Sequence, residues 1–190
     1  KTQFIYSLAA RAWRNNIATA VVNIGIDCPF NSPLAIYKHV MGGFVAPDIN
    51  NSHSSDQTGI ELLLDRWIRG KLAEMGVHAG ERPEPEMRQD LDRMLSQSVM
   101  GSPDTQTTTA IQRLARSILE HRVGGGIIDQ QALQWLKGDS VTFPELKKVG
   151  IVEKANDLNA FQRLKAVLVY LRKVLGYKGF FIAFDEGTRT

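Results

Sequence analysis

The sequence predicts an α/β core that is interrupted by a long all-helical insertion. Three observations support this prediction. The chain opens with a helix pattern that leads into a strand, it closes with a helix pattern that leads into an apolar strand, and the residues between are almost wholly helical in pattern. We therefore expect a mainly helical protein with a parallel sheet, in which 1–30 and 155–190 form the core and 31–154 form the insertion.

The first helix is predicted over residues 2–14, TQFIYSLAARAWR. Its apolar residues fall on one helical stripe, namely Phe4, Ile5, Leu8, Ala9, Ala12 and Trp13. Asn15 and Asn16 end the helix, and the following IATAVVNIGI is short and β-branched, as is typical of a strand.

The insertion is predicted from caps and periodicity. Ser32 and Pro33 are an N-cap and first-turn pair for PLAIYKHVMGGF, and a polar loop is expected over residues 47–59. GIELLLDRWIRGKLAEM and EMRQDLDRMLSQSVM are amphipathic. Asp104 is expected to cap a further helix that ends at the glycines of residues 124–126, and IIDQQALQWLKG predicts one more short helix.

The last helix is predicted to begin at Asp157, with its apolar face formed by Leu158, Phe161, Leu164, Leu168, Leu171 and Leu175. GFFIAFDE follows it. The run FFIAF is typical of a strand that is covered on both faces, as in a parallel sheet flanked by helices. Such sheets bind ligands at the carboxyl ends of their strands, so Asp185 and Glu186 lie where chemistry is expected.

The composition is that of an ordinary globular protein, with 43% hydrophobic and 23% charged residues. The net charge is +3, and the Lys and Arg residues are dispersed among Asp and Glu along the sequence. This charge permits nucleic-acid binding but does not indicate it. Cys28 is the one cysteine, and the four histidines fall on no metal-binding pattern. The single cysteine favours a reducing, cytoplasmic setting. No stretch approaches the roughly 20 apolar residues of a membrane span, so we expect no membrane contact.

Lys1 and Thr2 open an amphipathic helix that leads to a strand, which matches the carboxyl half of a Walker A loop, GxxxxGK[ST]. The glycines and their strand are then expected just before residue 1. In this interpretation Lys1 binds the β- and γ-phosphates of ATP, and Thr2 and Asp185 ligate Mg²⁺. Glu186 would act as the general base toward the attacking water. The alternative is that Asp185 and Glu186 only lead the strand into a solvated turn.

The order and spacing of several stretches resemble the P-loop ATP-binding proteins of BREX phage-exclusion systems. These stretches are KTQFIYSLAARAWRNNIATAVVNIG, SPLAIYKHVMGGF, TGIELLLDRW, ALQWLKGDSVTFPELKKVGI and LGYKGFFIAFDE. The resemblance implies a P-loop NTPase core of AAA+-like character, ATP and Mg²⁺ as cofactors, and a role in anti-phage defence. It also implies Lys1 and Thr2 as the end of Walker A, and Asp185 and Glu186 as Walker B.

Three functional interpretations stay open at this point. The first is an ATPase that acts with other phage-defence proteins. The second is an AAA+-like module that binds DNA and uses ATP as a switch, and the third is a helical interaction scaffold without catalysis. A homo-oligomer is compatible with each. Other features are interpreted structurally: Gly124 to Gly126 as a helix break, Trp67 and Trp135 as core residues, and Arg66, Arg69 and Lys71 as a solvated helix face.

Overall fold

A computed structural model describes residues 2–45, 59–77, 81–96, 102–139, 141, 144–148 and 150–186. The described part is mainly helical with one small sheet. In chain order its elements are α1 (Thr2–Arg14), β1 (Ile17–Ile24), α2 (Pro33–Gly42), β2 (Phe44–Val45), α3 (Ile60–Glu74), α4 (Pro85–Leu95), α5 (Thr105–Gly124), α6 (Gln130–Leu136), α7 (Pro144–Lys147), α8 (Ala160–Lys173) and β3 (Gly179–Glu186).

The strand order in the sheet is β2-β1-β3. β1 and β3 are parallel neighbours, paired from Ile17 with Gly179 to Ile24 with Glu186, so their predicted association in one sheet is confirmed. The sheet is mixed, however, whereas a wholly parallel sheet was expected. β2 pairs antiparallel with β1 and contains Phe44, which the sequence pattern had assigned to the preceding helix.

Gly43 explains why the helix stops before Phe44. A Cβ at this position would lie 2.6 Å from the carbonyl oxygens of both His39 and Val21, so only glycine permits this close approach to β1. The Val21 amide donates to the Gly43 carbonyl at 3.0 Å, which brings the chain alongside β1 as β2.

The helix boundaries follow from local capping. The Ser32 side chain accepts from the Ala35 amide, and the Asp104 side chain accepts from the Gln106 amide. Gly125 takes a left-handed conformation, with φ of 71°, and ends α5. The predicted caps and the predicted glycine break are confirmed. Of the predicted polar loop, only Gly59 is among the described residues.

One continuous apolar core joins the sheet to the helices. It runs from Trp13 and the inward residues of β1 through α2, α3, α5 and α6 to α8. Tyr37, Phe44 and Trp135 are among its largest fully buried side chains. The division of the chain at residues 31 and 154 stays a prediction.

Two predicted apolar faces are wrong in part. On α8, Leu158 just before the helix is 97% exposed and Phe161 is 54% exposed, while Arg163 is buried. The buried side of this helix is lined by Ala160, Arg163, Ala166, Val167, Tyr170 and Leu171. On α1, Ala9 and Trp13 are buried but Phe4 is 66% exposed. The helical period identifies an apolar stripe, whereas the packing partners decide which side is covered.

β3 is also less covered than its apolar run predicts. Phe184 is 42% exposed, and its ring meets the exposed ring of Phe30 edge-on at 5.5 Å. In the same strand Ala183 and Asp185 are buried. None of the helices described combines the length and apolar character that a bilayer-spanning segment requires.

Candidate functional site

The two carboxylates of the candidate site end β3 at the edge of the sheet where β1 also ends. Asp185 pairs in register with Asn23, and Glu186 pairs with Ile24. Residues that are directly opposite in paired strands have side chains on the same face. Asn23 is therefore a neighbour of Asp185, a placement that depends on strand register and has no signature in the sequence.

Asp185 and Glu186 lie in different environments because successive residues of a strand point to opposite faces. Asp185 is 8% exposed and lies on the face of Asn23. Glu186 is exposed and lies on the face of Ile24. The edge therefore carries one shielded carboxylate and one carboxylate in contact with water.

The turn between α1 and β1 is fixed to the amino end of β3. The Lys178 amide donates to the Asn16 carbonyl at 2.9 Å, and the Asn16 side-chain amide donates to the Gly176 carbonyl at 2.9 Å. Asn16 itself has a φ of 60°, a conformation that asparagine tolerates better than most residues. The carboxyl end of α1 therefore lies at the amino edge of the strands.

The opposite end of α1 is directed toward the carboxyl edge. α1 packs against both β1 and β3 after the short turn, so it runs back along them. Its 13 residues span about 20 Å, and the eight residues of β1 span about 26 Å. The first turn of α1 is consequently directed toward the edge of the sheet where Asp185 and Glu186 end β3.

The first turn of α1 suits an anion. It contains no acidic residue, so no side-chain charge offsets the unpaired amides and positive dipole of the helix terminus. Lys1 lies outside the described residues, and of Thr2 only the backbone is described. The start of α1 is thus directed toward the edge at which β3 ends, while the contacts of Lys1 and Thr2 stay predictions.

The other features noted in the sequence have structural explanations. Trp135 is 1% exposed and donates to the Glu153 carbonyl at 3.0 Å, and Trp67 is partly buried against the core. Arg69 pairs with Asp65 at 2.9 Å, and Lys71 pairs with Glu74 at 2.6 Å. Arg66 is not simply solvated, because its guanidinium stacks 4.2 Å above the ring of Trp13.

No group of three or more His, Cys, Asp or Glu among the described residues could hold a metal ion. His39 contacts the Asp27 carbonyl and His121 contacts the Gly126 carbonyl, while His53 and His78 lie outside the described residues. Cys28 is buried, and burial raises the pKa of its thiol.

Arg163 is a buried charge that the sequence pattern missed. It is 1% exposed, it stacks 4.2 Å from the ring of Trp135, and it donates to the Glu153 carbonyl at 2.8 Å. Its Nε lies 3.7 Å from Asp104 Oδ2. Burial lowers the pKa of the guanidinium, and Asp104 opposes that shift. Arg163 joins α8, which leads to β3, to the start of α5.

A comparison with known protein families shows to which family the chain belongs. The family described as "BREX system ATP-binding protein BrxC/D" matches residues 1–190. The chain belongs to this family. Its members are ATP-binding proteins of BREX systems, which implies a role in anti-phage defence. No curated protein matches the chain, and no solved structure matches it.

Proposed function

We propose that this BrxC/D family chain binds Mg²⁺-ATP at the carboxyl edge of its sheet and hydrolyses the nucleotide. The observation that carries the proposal is the parallel pairing of β1 with β3. This pairing places Asp185 and Glu186 at the edge of the sheet toward which the first turn of α1 is directed. A P-loop core requires this relation between its phosphate-binding helix and its acidic strand.

Lys1 and the amides of the first turn of α1 would bind the β- and γ-phosphates. Lysine supplies a compact charge, and the unpaired amides supply oriented donors. Because α1 has no acid in its first turn, a bound phosphate meets no repulsion from the helix itself.

The residues at this edge fit a magnesium ion. Mg²⁺ prefers oxygen ligands and is usually held by one or two protein groups together with substrate phosphates. The Thr2 hydroxyl and the Asp185 carboxylate would be those groups. When bound, the ion would neutralise charge on the phosphate oxygens.

Glu186 would accept the proton of the attacking water. Its exposure leaves this carboxylate in contact with solvent, as a general base toward water requires. Asn23, beside Asp185 in register, would orient Asp185 or a bound water through its side-chain amide. The chain would act in the cytoplasm, in an AAA+-like assembly with further copies or with other defence proteins.

ATP binding and single-turnover hydrolysis by the full-length protein test this proposal. Glu186→Gln should retain ATP while hydrolysis falls about 10²-fold or more, the usual size of a general-base contribution. Asp185→Asn should lose the Mg²⁺-dependent part of binding. Asp27→Asn, which removes a carboxylate from the loop after β1, is the matched control and should behave as wild type. Wild-type hydrolysis by both β3 variants would refute the proposal.

A nucleotide-switched DNA-binding module is the second candidate. It is favoured by the exposed cations near the turn between α1 and β1, among them Arg14 and Lys178. In that case the Glu186→Gln variant would retain the ATP-dependent change in DNA affinity, because only nucleotide binding is required. A scaffold without nucleotide chemistry would instead support phage defence fully as an Asp185→Asn, Glu186→Gln double variant.

A further inference from the structure

Charge in this protein is segregated by the fold, although it is interspersed along much of the sequence. Residues 1–26 and 158–184 contain no Asp or Glu. These two ranges supply α1, β1, α8 and most of β3. Their cations are Lys1, Arg11, Arg14, Arg163, Lys165, Arg172, Lys173 and Lys178. The acids of the chain lie within residues 27–157 and at Asp185 and Glu186.

The fold gathers exposed cations at the amino edge of the strands, opposite the candidate nucleotide site. Contacts among three segments define this place: the Trp13 ring lies 6.2 Å from the Tyr177 ring, the Lys178 amide donates to the Asn16 carbonyl, and Arg66 stacks on Trp13. We define the basic edge by its six exposed cations: Arg11, Arg14, Arg66, Arg172, Lys173 and Lys178.

Helix stabilisation alone does not account for the basic edge. Cations are favoured in the last turns of α1 and α8, because each helix terminus carries about half a negative elementary charge. Arg66 lies in the middle of α3 and Lys178 precedes β3, so neither serves a helix terminus. The nearby acid of α3, Asp65, is buried and already holds Arg69 and Arg122 at 2.9 and 2.6 Å.

The surface chemistry favours a phosphate backbone over a lipid or a protein surface. Of the exposed large hydrophobic side chains described, none lies within residues 9–16, 63–73 or 170–180. A membrane-binding surface needs apolar groups to insert, and a protein interface needs an apolar centre. The basic edge instead offers arginines, which bind phosphate bidentately.

We propose that the basic edge binds the phosphate backbone of duplex DNA. Arg66 stacks on the Trp13 ring, and a stacked guanidinium can still donate to phosphate from the N–H groups at its rim. The contacts are to phosphates, so binding is independent of base sequence. The surface is separate from the nucleotide edge, so a protein that fails to bind ATP would still bind DNA here.

Titration of the protein with a 20-base-pair duplex of arbitrary sequence at several salt concentrations tests the proposal. If the six cations neutralise about four phosphates, the slope of log K against log salt is about −3.6. The affinity then falls about 150-fold between 50 and 200 mM salt.

Arg14→Ala combined with Lys178→Ala should flatten the slope by about 1.2 and weaken binding about 16-fold at 0.1 M salt. Arg82→Ala with Lys147→Ala removes the same charge from exposed positions of the intervening segment, and it should leave slope and affinity unchanged. Circular dichroism verifies that both double variants stay folded. Asp185→Asn should also bind DNA as wild type, which separates this proposal from the proposed ATPase.

Three results would overturn the proposal. The first is a salt slope near zero, and the second is an equal loss of affinity in the two double variants. The third is binding to phosphatidylserine vesicles or to polyglutamate at least as tight as to the duplex at the same salt, because the surface would then recognise negative charge of another class.

Discussion

The buried pair of Arg163 and Asp104 gives a prediction with opposite outcomes for its two members. Arg163 is 1% exposed, and its Nε and Nη1 have no hydrogen-bond partner. The buried charge of Arg163 is compensated by the Glu153 carbonyl at 2.8 Å, the ring of Trp135 and the carboxylate of Asp104 at 3.7 Å. We expect Asp104→Asn to destabilise the protein more than Arg163→Met does.

The magnitudes follow from what each change leaves behind. Asp104→Asn keeps an oxygen that can accept from the Gln106 amide, but it leaves the guanidinium buried without an opposing charge. Breaking a buried pair typically costs about 3–5 kcal/mol, and the 3.7 Å separation places this case at about 2–3 kcal/mol. Arg163→Met loses the stacking and one hydrogen bond, about 2–4 kcal/mol, but relieves two unpaired buried donors at about 1–3 kcal/mol each.

Urea unfolding followed by circular dichroism measures both costs, provided that the m-value is unchanged. The net cost of Arg163→Met should be below about 1 kcal/mol. The double variant should then be more stable than Asp104→Asn alone, with a coupling energy above about 1 kcal/mol. Additive effects, or a larger cost for Arg163→Met than for Asp104→Asn, would refute this account of the pair.

Two further predictions concern Gly43, which lies beside β1, and Tyr177, which precedes β3. Gly43→Ala should destabilise the protein by about 3 kcal/mol or more, because its Cβ would lie 2.6 Å from two backbone carbonyls. Gly42→Ala, with nothing within 4 Å of the added Cβ, is the matched control and should be neutral or stabilising by up to about 1 kcal/mol in urea unfolding. Burial raises the pKa of Tyr177 to about 12, and the nearby Arg66 opposes the shift. Because the neutral phenol is favoured in the folded state, this stability is complete below pH ~10 and is lost as the pH rises toward 12. The loss should be about 2–3 kcal/mol, and Tyr177→Phe should reduce it in alkaline unfolding; an unchanged pH profile in that variant would contradict the assignment.

The sequence allowed prediction of those parts of the fold that depend on local chemistry. Ser32, Asp104 and Gly125 cap helices through interactions with their near neighbours in the chain. The two strands could be predicted because their apolar runs are short and follow turn residues. The antiparallel β2 could not, since it depends on the approach of Gly43 to Val21.

For the candidate site, the sequence allowed prediction of the residue types but not of their arrangement in space. Asp185 and Glu186 follow an apolar strand, a pattern that is visible in the chain. The position of Asn23 beside Asp185 depends on the register of two strands that are far apart in sequence. Likewise, the buried state of Arg163 and the exposed state of Phe161 depend on which neighbours cover α8. Tertiary packing decides these features.

The central claim is that Thr2 and Asp185 ligate the same nucleotide-bound metal ion, and metal-specific rescue tests it most directly. Thr2→Cys and Asp185→Cys each replace a hard oxygen ligand by a soft thiolate, which disfavours Mg²⁺ and favours thiophilic ions. The Mg²⁺-dependent ATPase activity of both variants should be lost, and Cd²⁺ should restore it in both, while Asp27→Cys keeps its Mg²⁺ activity. Full activity of either site variant in Mg²⁺, or rescue of neither by Cd²⁺, would contradict the account.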